Sequence, residues 1–118
     1  MSERTRKIES RLKEIVGEEV ADLADPRIHG LVTVTDVRVS PDVSRATVFY
    51  SVLNERAEEA REGLQSAAGR IQSSVGAQTR LKRTPKLRFE PDPVVEQATK
   101  IEAALREVRS DGENQNEK

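Results

Sequence analysis

The residues whose type and spacing point most clearly to chemistry are bases. Between Arg70 and Glu90 the sequence carries Arg70, Arg80, Lys82, Arg83, Lys86 and Arg88 against a single acid, Glu90, a local charge of +5. Closely spaced Lys and Arg neutralise phosphates and release their counterions. Such a segment attracts a polyanion regardless of its base sequence, and less so as salt rises. Arg4, Arg6, Lys7 and Arg11 make a second, weaker group diluted by Glu3, Glu9 and Glu14. A solvated loop is often charged for no further reason, but six bases facing one acid exceed what solvation needs.

Other chemistries find few residues to work with. There is no Cys and only one His among 118 residues, so a thiolate metal site, a thiol nucleophile, a disulfide framework and a His cluster are all excluded. His29, in Arg27-Ile28-His29-Gly30, reads as a turn residue before a strand. Asp36 and Asp42 have no spacing that requires them to meet, and Gly63 and Gly69 fit neither phosphate-loop pattern. Twenty bases and twenty-one acids leave a net charge of −1, which excludes a uniformly basic nucleic-acid coat. That neutrality is a cancellation, because Glu18 to Asp36 carries five acids and one base, a local charge of −4. The only aromatics are Phe49, Tyr50 and Phe89. With Phe49 and Phe89 expected in a lean aliphatic core, recognition of a single strand by stacked bases is disfavoured.

These groups must be positioned by an alternation of short elements. Ile8, Leu12, Ile15, Val16, Val20 and Leu23 form one stripe of a helix over 3–23, weakened at Gly17 and stopped at Ala24-Asp25-Pro26. Residues 31–39 and 46–53 are rich in β-branched side chains and are joined by a turn-forming stretch, which predicts an antiparallel hairpin. The apolar phase changes near Thr35 and Asp36, as at a bulge. Asn54 suits an N-cap for a helix from Glu55, whose stripe runs Ala57, Ala60, Leu64, Ala67, Ala68, Ile71 and Val75. It passes Gly69, so either one helix bends there or two meet. A short strand, 87–89, follows. Pro91-Asp92-Pro93 opens a last helix with the stripe Val94, Ala98, Ile101, Leu105 and Val108.

The order α-β-β-α-α-β plus a helix predicts a two-layer α+β domain with helices on one face of a three-stranded sheet. The boundaries are a domain over 1–92, a helix over 93–109 packed on or extending from it, and a disordered tail over 110–118. The N-terminus leads into a charged amphipathic run, and no apolar stretch reaches the ~18 residues of a membrane span, so a cytoplasmic protein is expected.

Several segments, in the same order, resemble the bacterial ribosome-binding factor A family. They are Arg4 and Arg6; Ala24-Asp25-Pro26-Arg27; residues 31–37; Ser40-Pro41-Asp42; residues 46–51; Leu64 to Ile71; residues 81–89; and Asp92, spanning roughly 4–105. The resemblance implies a type II KH-like fold in which Ala67-Ala68-Gly69 makes a kink between helices in place of the GxxG loop of ordinary KH domains. It also implies binding of 16S rRNA on the free, immature 30S subunit, late rRNA maturation, no cofactor and no catalysis. A monomer that avoids membranes completes the expectation. The alternative is a protein–protein adaptor working through Glu18–Asp36 or the last helix, with no direct RNA contact. A small metabolite-binding or catalytic module is a third and weaker reading.

Overall fold

The computed structural model describes residues 2–53 and 56–116, the last seven of these by backbone alone. Six elements follow one another: α1 (Glu3–Asp22), β1 (Val32–Val39), β2 (Arg45–Val52), α2 (Ala57–Gln78), β3 (Lys86–Pro91) and α3 (Pro93–Asn116). Ser2 caps α1, its Oγ accepting from the Thr5 N–H at 3.2 Å. The helix runs through Gly17 and ends before Pro26, where Leu23 turns extended. His29 is exposed in the following turn, its Nδ1 3.0 Å from the Leu23 carbonyl.

The sheet order is β1-β2-β3, with β1 and β2 antiparallel and β2 and β3 parallel, α2 being the crossover that parallel strands require. The register slips between Val34 and Asp36, so the phase change in the sequence is a bulge. Val32 and Val34 face inward before it, Val37 and Val39 after it. With Ala46, Val48, Tyr50 and Leu87 they meet Leu12, Ile15, Val16 and Val20 of α1 and Ala60, Leu64, Ile71 and Val75 of α2. Both helices therefore cover one face. Each edge strand also turns a backbone N–H to a helix side chain: Val39 donates to buried Glu9 Oε2 at 2.8 Å, and Leu87 to Gln72 Oε1 at 3.3 Å.

Close approach of α2 to the turn after α1 depends on Gly63. A Cβ there would lie 2.9 Å from Cδ1 and Cγ1 of Ile28, itself fully buried. Gly69 differs: a Cβ would meet nothing within 4 Å, and α2 is one unbroken helix across it. Of the two arrangements open at Gly69, the chain adopts the single helix. Ala67, Ala68 and Gly69 thus do not separate two helices, because Leu64, Ile71 and Val75 stay on one buried stripe. The N-cap expected at Asn54, with Glu55 after it, lies outside the described residues.

One further expectation is corrected. Phe89 packs against the core, but Phe49 does not; strand alternation turns it to the opposite face, where it is half-buried. α3 is described to Asn116.

α3 leaves the domain rather than packing on it. All its described side chains are exposed, Val94 by 75% and Val108 by 68%. Its root is fixed by Asp92, whose N–H donates to the Tyr50 carbonyl at 2.8 Å and whose Oδ1 accepts from the Val94 N–H at 2.9 Å. Asp92 Oδ2 accepts from the bulged Thr35 hydroxyl at 2.5 Å.

Candidate nucleic-acid interface

The structure splits the basic segment and adds to each part. Arg80, just past α2, comes beside Arg4, Lys7 and Arg11 of α1 around a depression of about 660 Å³ floored by Ile8, Leu12 and Leu81. Its loop is held by Thr84, which crosses α2 so closely that a Cβ on Gly76 would lie 2.8 Å from Thr84 Oγ1, and by fully buried Pro85. Lys82 and Arg83 are exposed on the same loop. Two groups distant in sequence thus become one basic surface. Lys7 pairs with Glu3 at 3.7 Å and Arg11 with Glu14 at 3.4 Å, exposed pairs of little energy that a phosphate can displace. Arg4 and Arg80 have no acidic partner among the described residues.

The other candidates lie elsewhere. Arg6 lines an adjoining shallow recess with Glu3, Ser10 and Glu14, a recess that shares Lys7 and Arg11 with the first depression. Arg70 is exposed on α2 directly after Gly69 and lines neither recess. Lys86 and Arg88 belong to β3 and point to the outer face of the sheet. There the register places Arg45 against Lys86, and Arg38 and Arg88 on either side of Thr47. Arg38 and Arg45 were not legible as site residues. Strand alternation gives their face, but only the pairing register brings them to Lys86 and Arg88.

The groove between α2 and β3, beside Ala68, carries Glu58, Glu90 and Glu96 against Arg61 and Arg88. Three carboxylates outnumber two guanidiniums, so this groove is poorly suited to gripping a phosphate backbone.

α1 carries its charges against its own dipole. Arg4 and Arg6 outnumber Glu3 in the first turn with Lys7 and Arg11 close behind, while Glu18, Glu19 and Asp22 crowd the C-terminal end and the last turn has no base. The helix dipole favours the reverse by ~0.3–1 kcal/mol per charge. Helix stability does not account for this distribution, whereas a basic surface next to Arg80 does.

Nothing catalytic assembles among the described residues, and no group of acids and His there has metal-binding geometry. Asp42 is held down to about 2 by hydrogen bonds from Ser44 and Ser40, which shape the hairpin loop. Asp25 is lowered by its hydrogen bonds from Arg27, which is raised in turn. Burial pushes the Tyr50 phenol up. These groups are scattered through turns and core and do not converge on a pocket.

Comparison with known proteins fits this order of elements. Residues 4–105 match the family profile described as Ribosome-binding factor A. The chain belongs to the ribosome-binding factor A family. The family protein of Rubrobacter xylanophilus is 76% identical over 106 residues, covering 89% of this chain and 87% of that one. The Acidothermus cellulolyticus protein is 44% identical over 110 residues, covering 91% and 73%. The crystal structure of ribosome-binding factor A from Thermus thermophilus superposes with a TM-score of 0.69 at 34% identity, over 74% of this chain and 93% of that one. A homology model of the Thermus thermophilus factor, fitted into a cryo-EM map of a 30S–RbfA complex, gives 0.62 at 36% identity, over 71% and 90%. The α+β, KH-like fold expected from the sequence is the family fold. No described helix is long and apolar enough to cross a membrane.

Proposed function

We propose that this protein binds the immature small ribosomal subunit in the cytoplasm and assists late maturation of 16S rRNA, acting as a monomer by binding rather than catalysis. The 30S complex of the Thermus thermophilus family member supports the partner. The observation that carries the reading is the joining of Arg4, Lys7 and Arg11 with Arg80 on one surface. Lys82 and Arg83 extend that surface along the loop, and Arg70 adds a cation on α2. The slight excess of carboxylates in the groove beside Ala68 favours a grip on the α1–loop surface over one beside the Ala67-Ala68-Gly69 segment.

Replacing Arg80, Lys82 and Arg83 together with Glu should abolish co-sedimentation with small subunits at ~0.15 M salt and flatten the salt dependence of what binding remains. Unchanged sedimentation across a salt series would remove the assignment.

One observation favours a second reading as an adaptor: the exposed apolar stripe Val94, Ile101, Leu105 and Val108 on α3. Complexes made through that stripe would survive ribonuclease, whereas complexes made through RNA would not.

A further inference from the structure

The sheet face turned away from α1 and α2 is covered by no helix among the described residues, and it carries an ordered pattern. One row across the strands is Asp36, Phe49, Glu90; the next is Arg38, Thr47, Arg88; beyond it Arg45 stands against Lys86. The two acids are already matched, Asp36 by Arg38 at 3.2 Å and Glu90 by Arg88 at 2.8 Å. Arg45 and Lys86 have no acidic partner among the described residues, so the face keeps two unmatched positive charges. Around them lies a concavity of about 580 Å³, lined also by Arg38, Thr47 and Arg88. Phe49 is half-buried at the centre of the next row but one.

We propose that this face binds a single-stranded segment of RNA, a phosphate seated between Arg45 and Lys86 and an unstacked base lying on Phe49. Arg45 and Lys86 are direct neighbours on adjacent strands ~4.8 Å apart, close enough for both heads to reach one phosphate. Phe49 lies four residues along β2, ~13 Å away, a span for a short extended strand rather than one nucleotide. A duplex keeps its bases stacked and presents only its backbone and groove edges, leaving Phe49 unused. A protein partner is disfavoured because the face offers one aromatic ring and otherwise charged or hydroxyl groups. The site is separate from the α1–loop surface and does not depend on subunit binding through that surface.

The test uses the full chain and a fluorescently labelled, mixed-sequence single-stranded RNA octamer followed by anisotropy. Phe49→Leu should weaken binding about tenfold, within the range for loss of one stacked base, while Phe49→Tyr, which keeps the ring, retains it. Arg45→Gln with Lys86→Gln should reduce the salt slope by roughly 0.7, the single-strand value for the one phosphate no longer neutralised. Ultraviolet crosslinking should mark the peptide containing residues 45–51. The Arg80, Lys82, Arg83 triple-Glu variant should retain octamer binding at this face, which separates the result from any loss of subunit association. No octamer binding, unchanged affinity in a Phe49→Leu protein with unaltered circular dichroism, or equal competition by an RNA duplex of the same length would each overturn the proposal.

Discussion

Two glycines on one helix have opposite reasons to be there. Gly63 is required by space, since a methyl group would press on Ile28 at 2.9 Å and Ile28 is fully buried with nowhere to retreat. Gly63→Ala should therefore lose about 1–3 kcal/mol in urea unfolding, as overpacking of a filled core does. Gly69 has open space around its missing side chain, so Gly69→Ala should gain roughly 0.5–1 kcal/mol by relieving the backbone entropy of glycine in a helix. A gain in stability accompanied by weaker subunit binding would mark Gly69 as a residue kept for bending rather than for folding. Phe49 shows where residue-scale reading fails. Phe49 and Tyr50 are adjacent aromatics on a strand, so one must face in and the other out, and composition does not say which. The parity of Ala46, Val48 and Tyr50, all buried, decides it.

Among the elements, most was legible: the first helix and its stop, the hairpin, the bulge near Thr35, and the start of the last helix at Asp92-Pro93. The bulge and that helix start proved to be one device, because the extra residue in β1 sends the Thr35 hydroxyl to Asp92. No periodicity argument links residues 57 positions apart, and for the same reason Arg38 and Arg45 stayed invisible beside Lys86 and Arg88. Asp92→Ala should remove the cap of α3, at about 0.5–2 kcal/mol of helix stability, together with the tie to Thr35. Far-ultraviolet circular dichroism should show lost helicity while near-ultraviolet signals of the core persist. The Asp92 carboxyl is depressed below its ordinary value chiefly by the Thr35 hydrogen bond. A depressed carboxylate stabilises above its unfolded value of ~3.9 and loses that contribution as pH falls through the folded value. Acidification below about pH 4 should therefore weaken the root of α3 in the parent protein and have less effect in Asp92→Ala.

As a whole molecule the chain is long for its size. Its radius of gyration is 18.0 Å and its longest extent 68 Å, whereas a compact chain of this length would have a radius of roughly 13–14 Å. The excess is α3, which contributes none of the buried core. Truncation after Asp92 should leave the thermal midpoint within about 2 °C of the parent, since surface elements away from the core contribute little. Small-angle scattering should show the radius falling toward the compact value, and a large drop in midpoint would mean that residues 93–116 are part of the domain. Opposed to this elongation is the compact polarity of α1, with cations at its positive end and carboxylates at its negative end. Dissolved ions screen that arrangement, so they relieve an internal repulsion in the free protein while competing with it for phosphate. Raising sodium chloride from about 0.05 to 0.5 M should therefore lift the melting temperature by a few degrees and dissociate the subunit complex in the same titration. The condition in which the free protein is most robust should be the one in which it holds RNA least.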